Sequence, residues 1–210
     1  MEHPLMTSPT RLFLIRHAEV EARYQRVFGG RIDMDLSPHG HEQARACAAW
    51  LQSISFDAVY ASPMRRVQQT LAPIQERRRG PVILTELREV DFGDWTGHTW
   101  DEVKDKFGVS AFDWLELLHC GGIPNAEDAG QFRERVDLAL RQILREHGGK
   151  TVAVVCHGGV IRMALSLLLG LPLPKLAHFE IDYASVTEVE HHPRKTAVQS
   201  LNLTPWRHFS

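Results

Sequence analysis

Two histidines of this 210-residue chain each follow a short apolar run, and arginine stands beside them. Leu12, Phe13, Leu14 and Ile15 lead into Arg16-His17, and Thr151 to Cys156 leads into His157-Gly158-Gly159. An always-charged guanidinium next to an imidazole that titrates near neutrality suits the binding and chemistry of an anionic group. One histidine after an apolar run is ordinarily a hydrogen-bonded core or loop residue. Two such histidines, together with Arg16 and with Arg66 just after Ser62-Pro63, favour an anion site. A carboxylate is also at hand in the segment Leu87–Gly97, where Glu89, Asp91 and Asp94 lie among aromatics and glycines. A loop of that kind can hold a carboxylate against apolar surface, a setting that raises its pKa. The residues alone leave the choice among the three acids open.

Those side chains need a scaffold that presents them together. Unbroken apolar runs such as Leu12–Ile15 read as strands buried on both faces of a helix-covered sheet, whose carboxyl ends are where ligands bind. The polar, glycine-bearing stretch from Glu19 through Gly29-Gly30 to Asp35 reads as a long functional loop over the first strand end. Ser37-Pro38 is a helix start, with Ala44, Cys47, Ala48 and Leu51 as the buried stripe. Phe56 to Ala61 reads as a strand, and Ser62-Pro63 as the start of a helix that carries Arg65 and Arg66 in its first turn and is kinked at Pro73. Arg77-Arg78-Arg79 reads as a solvated helix end rather than a nucleic-acid contact. Pro81 to Leu84 is a short strand. Residues 99–119 form one or two short helices over the site, with Trp100, Phe107, Phe112 and Trp114 as packing aromatics. Ala129, Phe132, Val136, Leu140 and Ile143 keep helical spacing up to Gly148-Gly149. Val160 to Leu169 is a buried helix whose N-terminus sits at the site. Ser185–Glu190 and Ala197–Leu203 form a closing hairpin. The expected architecture is a three-layer α/β/α sandwich, its sheet mainly parallel with an antiparallel edge strand. One domain spans 1–210, with residues about 98–126 as a capping excursion.

Composition narrows the function classes. A formal charge of -2 argues against a general nucleic-acid binder, so any anion site is local. Cys47, Cys120 and Cys156 are widely spaced and form no Cys-x-x-Cys, which suggests neither a disulfide framework nor a zinc site and fits a reduced cytoplasmic setting. No signal peptide or membrane span is expected, and no oligomeric state is implied.

The ordered motifs resemble the histidine phosphatase superfamily, in its phosphoglycerate mutase-like branch, over about Leu12 to Asn202. Arg16-His17-Ala18-Glu19 is similar to the family's Arg-His-Gly-Glu, and Asp33, Leu36-Ser37, Gly40 and Gln43-Ala44 to the loop and helix that follow. Ser62, Arg66 and Thr70 resemble its second arginine motif. Leu87-x-Glu89-x-x-Phe92-Gly93-x-Trp95-x-Gly97 resembles the acid loop, and His157-Gly158-Gly159-Val160-Ile161-Arg162 the second histidine motif. The resemblance implies that His17 attacks phosphorus to form a phosphohistidine. It further implies that Arg16, Arg66 and His157 clamp the phosphoryl oxygens, and that Glu89 serves as acid and then base. Arg23, Gly29, Gly30 and Gly158 are the implied substrate-binding positions, and neither metal nor cofactor is required.

Several positions depart from the family pattern. Ala18 replaces a glycine, which the backbone tolerates only without positive φ. Arg23 stands where many members have asparagine, and so either adds an anion contact or points away. Gly29-Gly30 replaces a polar residue plus glycine, and Asn125-Ala126-Glu127 replaces Gly-Gly-Glu. No adjacent Arg-Arg pair lies between Gly97 and His157, which favours a phosphomonoesterase of a small phosphorylated metabolite, such as an α-ribazole phosphate or sugar phosphate, over mutase-type phosphoryl transfer. A non-catalytic phosphate- or partner-binding module would need neither His17 nor Glu89. A metal hydrolase, suggested by the 12 histidines, lacks a His-Glu-x-x-His motif and a clustered aspartate set.

Overall fold

The computed structural model describes residues 8–75 and 80–208. Strands β1 (Thr10–Arg16), β2 (Ala58–Ala61), β3 (Val82–Ile83), β4 (Thr151–Cys156), β5 (Val186–His192) and β6 (Lys195–Leu203) form one sheet in the order β3-β2-β4-β1-β5-β6. The first four are parallel, and β5 and β6 run antiparallel at one edge. Alternation along each strand divides the core in two. Phe13, Ile15, Val59, Ala61, Ala153 and Val155 face helices α1 (Pro38–Trp50) and α2 (Arg65–Gln75). Leu12, Leu14, Tyr60, Val152, Val154 and Cys156 face the other way, into the cluster that also holds α3 (Trp100–Phe107), α4 (Trp114–His119), α5 (Ala129–Glu146) and α6 (Gly158–Leu169). Helix α7 (Pro205–His208) closes the chain against α1. The result is the expected helix-sheet-helix layering.

Local chemistry explains both the agreements and the differences. Ser37 caps α1 as expected, its hydroxyl accepting from the Gly40 amide at 2.9 Å. The second Ser-Pro pair does not start α2, which begins at Arg65, and Ser62 is turned towards His157 instead. The helix then continues through Pro73 to Gln75. The strand read from Phe56 begins at Ala58, because the Asp57 carboxylate takes the Thr151 amide at 2.9 Å. The strand read over Pro81–Leu84 shrinks to Val82–Ile83. The final hairpin is longer than expected, since His192 pairs with Lys195 across a two-residue Pro193-Arg194 turn. The run Arg77–Arg79 lies outside the described residues, as do residues 1–7. No helix among the described residues is long and apolar enough to cross a membrane.

Candidate active site

Strands β1 and β4 are neighbours in parallel register, with Arg16 opposite Cys156, so the next residue of each chain segment is a histidine. The His17 and His157 ring centroids lie 5.3 Å apart. His17 is 5% exposed and His157 fully buried. The His17 Nδ1 proton goes to the Ala18 carbonyl at 2.8 Å, which fixes the tautomer, because a carbonyl can only accept. Nε2 therefore carries the lone pair, and it accepts from Arg66 Nε at 3.2 Å. Burial first, then the Arg66 and Arg16 charges, hold the His17 pKa well below its ordinary range, so the ring stays neutral. His157 is likewise held low by burial, with Arg66 and His17 adding to it. Its Nε2 shares a 2.9 Å hydrogen bond with Ser62 Oγ.

Arg66, 2% exposed, sits in the first turn of α2 and spreads its fork over three partners. Besides His17 it donates to the Ile32 carbonyl at 2.8 Å and the Gly30 carbonyl at 2.9 Å, and thereby ties the long loop to the site. Burial lowers its pKa to about 10, which leaves it cationic at neutral pH. Gly30 is in the left-handed region at φ 46°, which turns its carbonyl to that guanidinium. Arg16 donates to the Ile181 carbonyl at 2.6 Å and lies 4.1 Å over the Tyr183 ring. Arg16 Nε and His157 Nδ1 are buried and have no hydrogen-bond partner among the described residues.

Glu89 reaches the same place from the acid loop. One carboxylate oxygen accepts from its own neighbour Val90 at 3.0 Å, and the other from the Gly159 amide in the first turn of α6 at 3.2 Å. A Cβ on Gly159 would lie 2.4 Å from Glu89 Oε1, so glycine is what lets the carboxylate approach the helix. Asp91 instead accepts from the Gly93 amide and Asp94 pairs with Asn125, so of the three acids Glu89 is the one that lines the cleft with Arg16, His17 and Arg66. Arg135 of α5 holds the loop from behind. It pairs with Glu127 and donates to the carbonyls of Glu86, Arg88 and Glu89.

Arg16, His17, Arg66, Glu89, Gly29, Gly30, Gly158 and Gly159 line a cleft of about 130 Å³. Arg23 does not line it. Its side chain is 69% exposed and pairs with Glu21 at 2.8 Å, so of the two orientations open to it the arginine points away. Ala18 is not among the residues with positive φ, which is why alanine serves there. Asn125 does take the left-handed conformation, at φ 55°, a conformation asparagine tolerates better than most residues. Two contributors carried no signal in the sequence. Tyr183 reaches the site from a turn at the sheet edge, 5.5 Å from the His17 ring. Arg135 lies on a helix whose apolar spacing marked it only as scaffold. Among the described residues no group of three or more His, Cys, Asp or Glu side chains could hold a metal ion.

Residues 12–204 match the family model of the histidine phosphatase superfamily (branch 1). The chain is 32% identical to phosphoserine phosphatase 1 of Hydrogenobacter thermophilus, covering 92% of each protein. It is 29% identical to the adenosylcobalamin/alpha-ribazole phosphatase of Escherichia coli, over 91% of this chain and 95% of that one. Its fold superposes on the alpha-ribazole phosphatase structure from Shigella flexneri with a TM-score of 0.80 at 26% identity, covering 91% and 96% of the two chains.

Proposed function

This chain belongs to branch 1 of the histidine phosphatase superfamily and hydrolyses small phosphorylated metabolites, and we propose that it does so through a phosphohistidine on His17. What carries this is the hydrogen bond from His17 Nδ1 to the Ala18 carbonyl, which leaves a neutral Nε2 lone pair beside Arg66. In the first half, His17 Nε2 attacks phosphorus, the ester P–O bond breaks, and protonated Glu89 gives its proton to the departing alkoxide. Arg16, Arg66 and His157 hold the three phosphoryl oxygens as charge redistributes. In the second half, Glu89 takes a proton from water, the water oxygen bonds to phosphorus, and the P–N bond breaks. Orthophosphate leaves, and His17 returns to the neutral tautomer.

Within this reading no metal takes part, because the guanidinium groups supply the positive charge that a metal would otherwise provide, and neutral His157 adds a hydrogen bond. Activity retained in excess chelator is the expected result. Residues about 98–126 act as a cap over the cleft within one domain. Gly29, Gly30 and Gly158 let the phosphoryl group approach the backbone, whereas Arg23 has no part in its binding.

The test is to quench the enzyme in alkali during turnover of p-nitrophenyl phosphate and look for a phosphoryl adduct by mass spectrometry. An adduct mapped to His17, and lost in His17→Ala with phosphate release, is expected. Undiminished phosphate release by His17→Ala would overturn the proposal.

A further inference from the structure

Arg16 and Arg66 both line the cleft, yet the protein holds them in different ways. Arg66 has all three guanidinium nitrogens engaged, at His17 Nε2, Ile32 and Gly30. Arg16 has one engaged, in a 2.6 Å bond from Nη1 to the Ile181 carbonyl. No carboxylate pairs with Arg16 among the described residues, and two further cations face it. These are Arg66 and Arg162, whose pKa values are lowered to about 10 by burial and then by the Arg16 charge. A guanidinium fixed at a single nitrogen, and repelled by its neighbours, can swing about that contact.

What stops it is the Tyr183 ring, 4.1 Å from Arg16 Cζ. Stacking occupies the face of the guanidinium and sets the negative face of the ring against a cation that lacks a counter-ion. It leaves the in-plane N–H groups of the Nε–Nη2 edge for an oxyanion. The same ring lines the cleft and lies 5.5 Å from the His17 ring.

The turn that carries this ring is itself fastened from behind. The Asp182 amide donates to Asn202 Oδ1 at 2.6 Å, and the Asp182 carboxylate accepts from Arg207 at 2.8 Å. The Tyr183 carbonyl accepts from the Trp206 indole at 2.9 Å, and the Ala184 amide donates to the His17 carbonyl at 3.1 Å. None of these anchors uses the Tyr183 hydroxyl. Ile181 and Tyr183 belong to one anchored segment, which therefore sets both contacts of Arg16.

We propose that Tyr183 is a positioning residue for phosphoryl transfer, its ring being the seat that keeps the free edge of Arg16 turned to the phosphoryl oxygens. The proposal rests on the reading given above, in which Arg16 is one of the clamps. The aromatic face does this work, and the hydroxyl has no part in it.

The test is a double-variant cycle on kcat/KM for p-nitrophenyl phosphate. Tyr183→Leu and, separately, Tyr183→Gln remove the ring at a half-buried position while the backbone anchors of the turn remain, and each is expected to cost about three- to thirtyfold. Tyr183→Phe restores the ring and is expected to recover activity to within about twofold of the wild type. In an Arg16→Met background, the loss caused by Tyr183→Leu is expected to shrink to less than about twofold, because the seat then has nothing to hold. A Tyr183→Phe loss as large as that of Tyr183→Leu would assign the work to the hydroxyl and overturn this proposal alone. So would a Tyr183→Leu loss that persists undiminished without Arg16, or ring removal that costs less than about twofold. Undiminished turnover by Arg16→Met in the wild-type background would instead strike Arg16 from the clamp, and this proposal with it.

Discussion

Arg66 Nε donates to His17 Nε2 across 3.2 Å, so the group that would bind a phosphoryl oxygen also holds the nitrogen that would attack phosphorus. Its other two nitrogens anchor Ile32 and Gly30. Lysine cannot serve all three directions from one ammonium. Arg66→Lys should lower kcat/KM by about 10² to 10³-fold. Steady-state kinetics on a protein shown folded by circular dichroism checks this, and a loss below tenfold would count against the clamp.

Glu89 is assigned to protonate the leaving oxygen, a task that matters only when that oxygen is basic. Glu89→Gln should cut kcat/KM, which reports the first phosphoryl transfer and not the shared hydrolysis of the adduct, by about 10² to 10⁴-fold for an alkyl ester and much less for p-nitrophenyl phosphate. Equal losses on both esters would remove the acid role.

Gly159 permits the Glu89 carboxylate to reach the first turn of α6. Gly159→Ala displaces the free end of a side chain rather than backbone, so its effect should fall on activity and not on folding. We expect kcat to fall at least about tenfold, as for a lost positioning contact, while the thermal midpoint stays close to that of the wild type. A large fall in midpoint with unchanged kcat would contradict this.

Both site histidines are held neutral in the native state, chiefly by burial. In the unfolded chain each takes up a proton near its ordinary pKa of about 6.5. Below that pH the unfolded state therefore binds more protons, and stability must fall as pH drops from about 6.5 towards the depressed native values, with a slope approaching about 1.4 kcal/mol per pH unit for each histidine. Urea unfolding between pH 7.5 and 5.5 would show this, with a shallower slope in His17→Asn. An NMR titration should find the native His17 ring still neutral at the acid end of that range.

Arg135 and Glu127 form a pair whose side chains are 17% and 7% exposed. Arg135→Ala leaves Glu127 with only the longer 3.7 Å contact to Arg31 and the Asp91 amide, and frees three loop carbonyls, which should cost about 1.5 to 3 kcal/mol. Activity should fall too, because the loop carrying Glu89 loses its support. Adding Glu127→Leu should restore part of the stability, and a double variant no better than the single would show that the cost lies elsewhere.

Much of this site is legible in the sequence because its chemistry is written next to its scaffold. Arg16-His17 and His157 directly follow apolar runs, and a buried strand that ends in charge has few other uses. Ser62 shows the limit of local reading. Next to proline it has the signature of a helix cap, yet a non-local demand wins, since the buried His157 imidazole needs a partner and the helix can begin three residues later. Tyr183 was invisible for a related reason. It is brought to Arg16 by a turn in which Ala184, at φ 49°, donates its amide to the His17 carbonyl. Nothing in Asp-Tyr-Ala-Ser announces that conformation. Arg135 looks like an ordinary charge on an amphipathic helix until the acid loop folds over it.

Strand β1, first in the chain, lies between β4 and β5 in the sheet. Both of its hydrogen-bonding neighbours are therefore synthesised only after residue 150. A nascent chain that has delivered Arg16, His17, Arg66 and Glu89 still has both edges of the strand that leads to His17 bare. It cannot bury that imidazole until the last third of the polypeptide has emerged. The state of the imidazole and completion of the fold are thus coupled by strand order alone, and a chain arrested short of β5 carries His17 without the enclosure that holds its ring neutral.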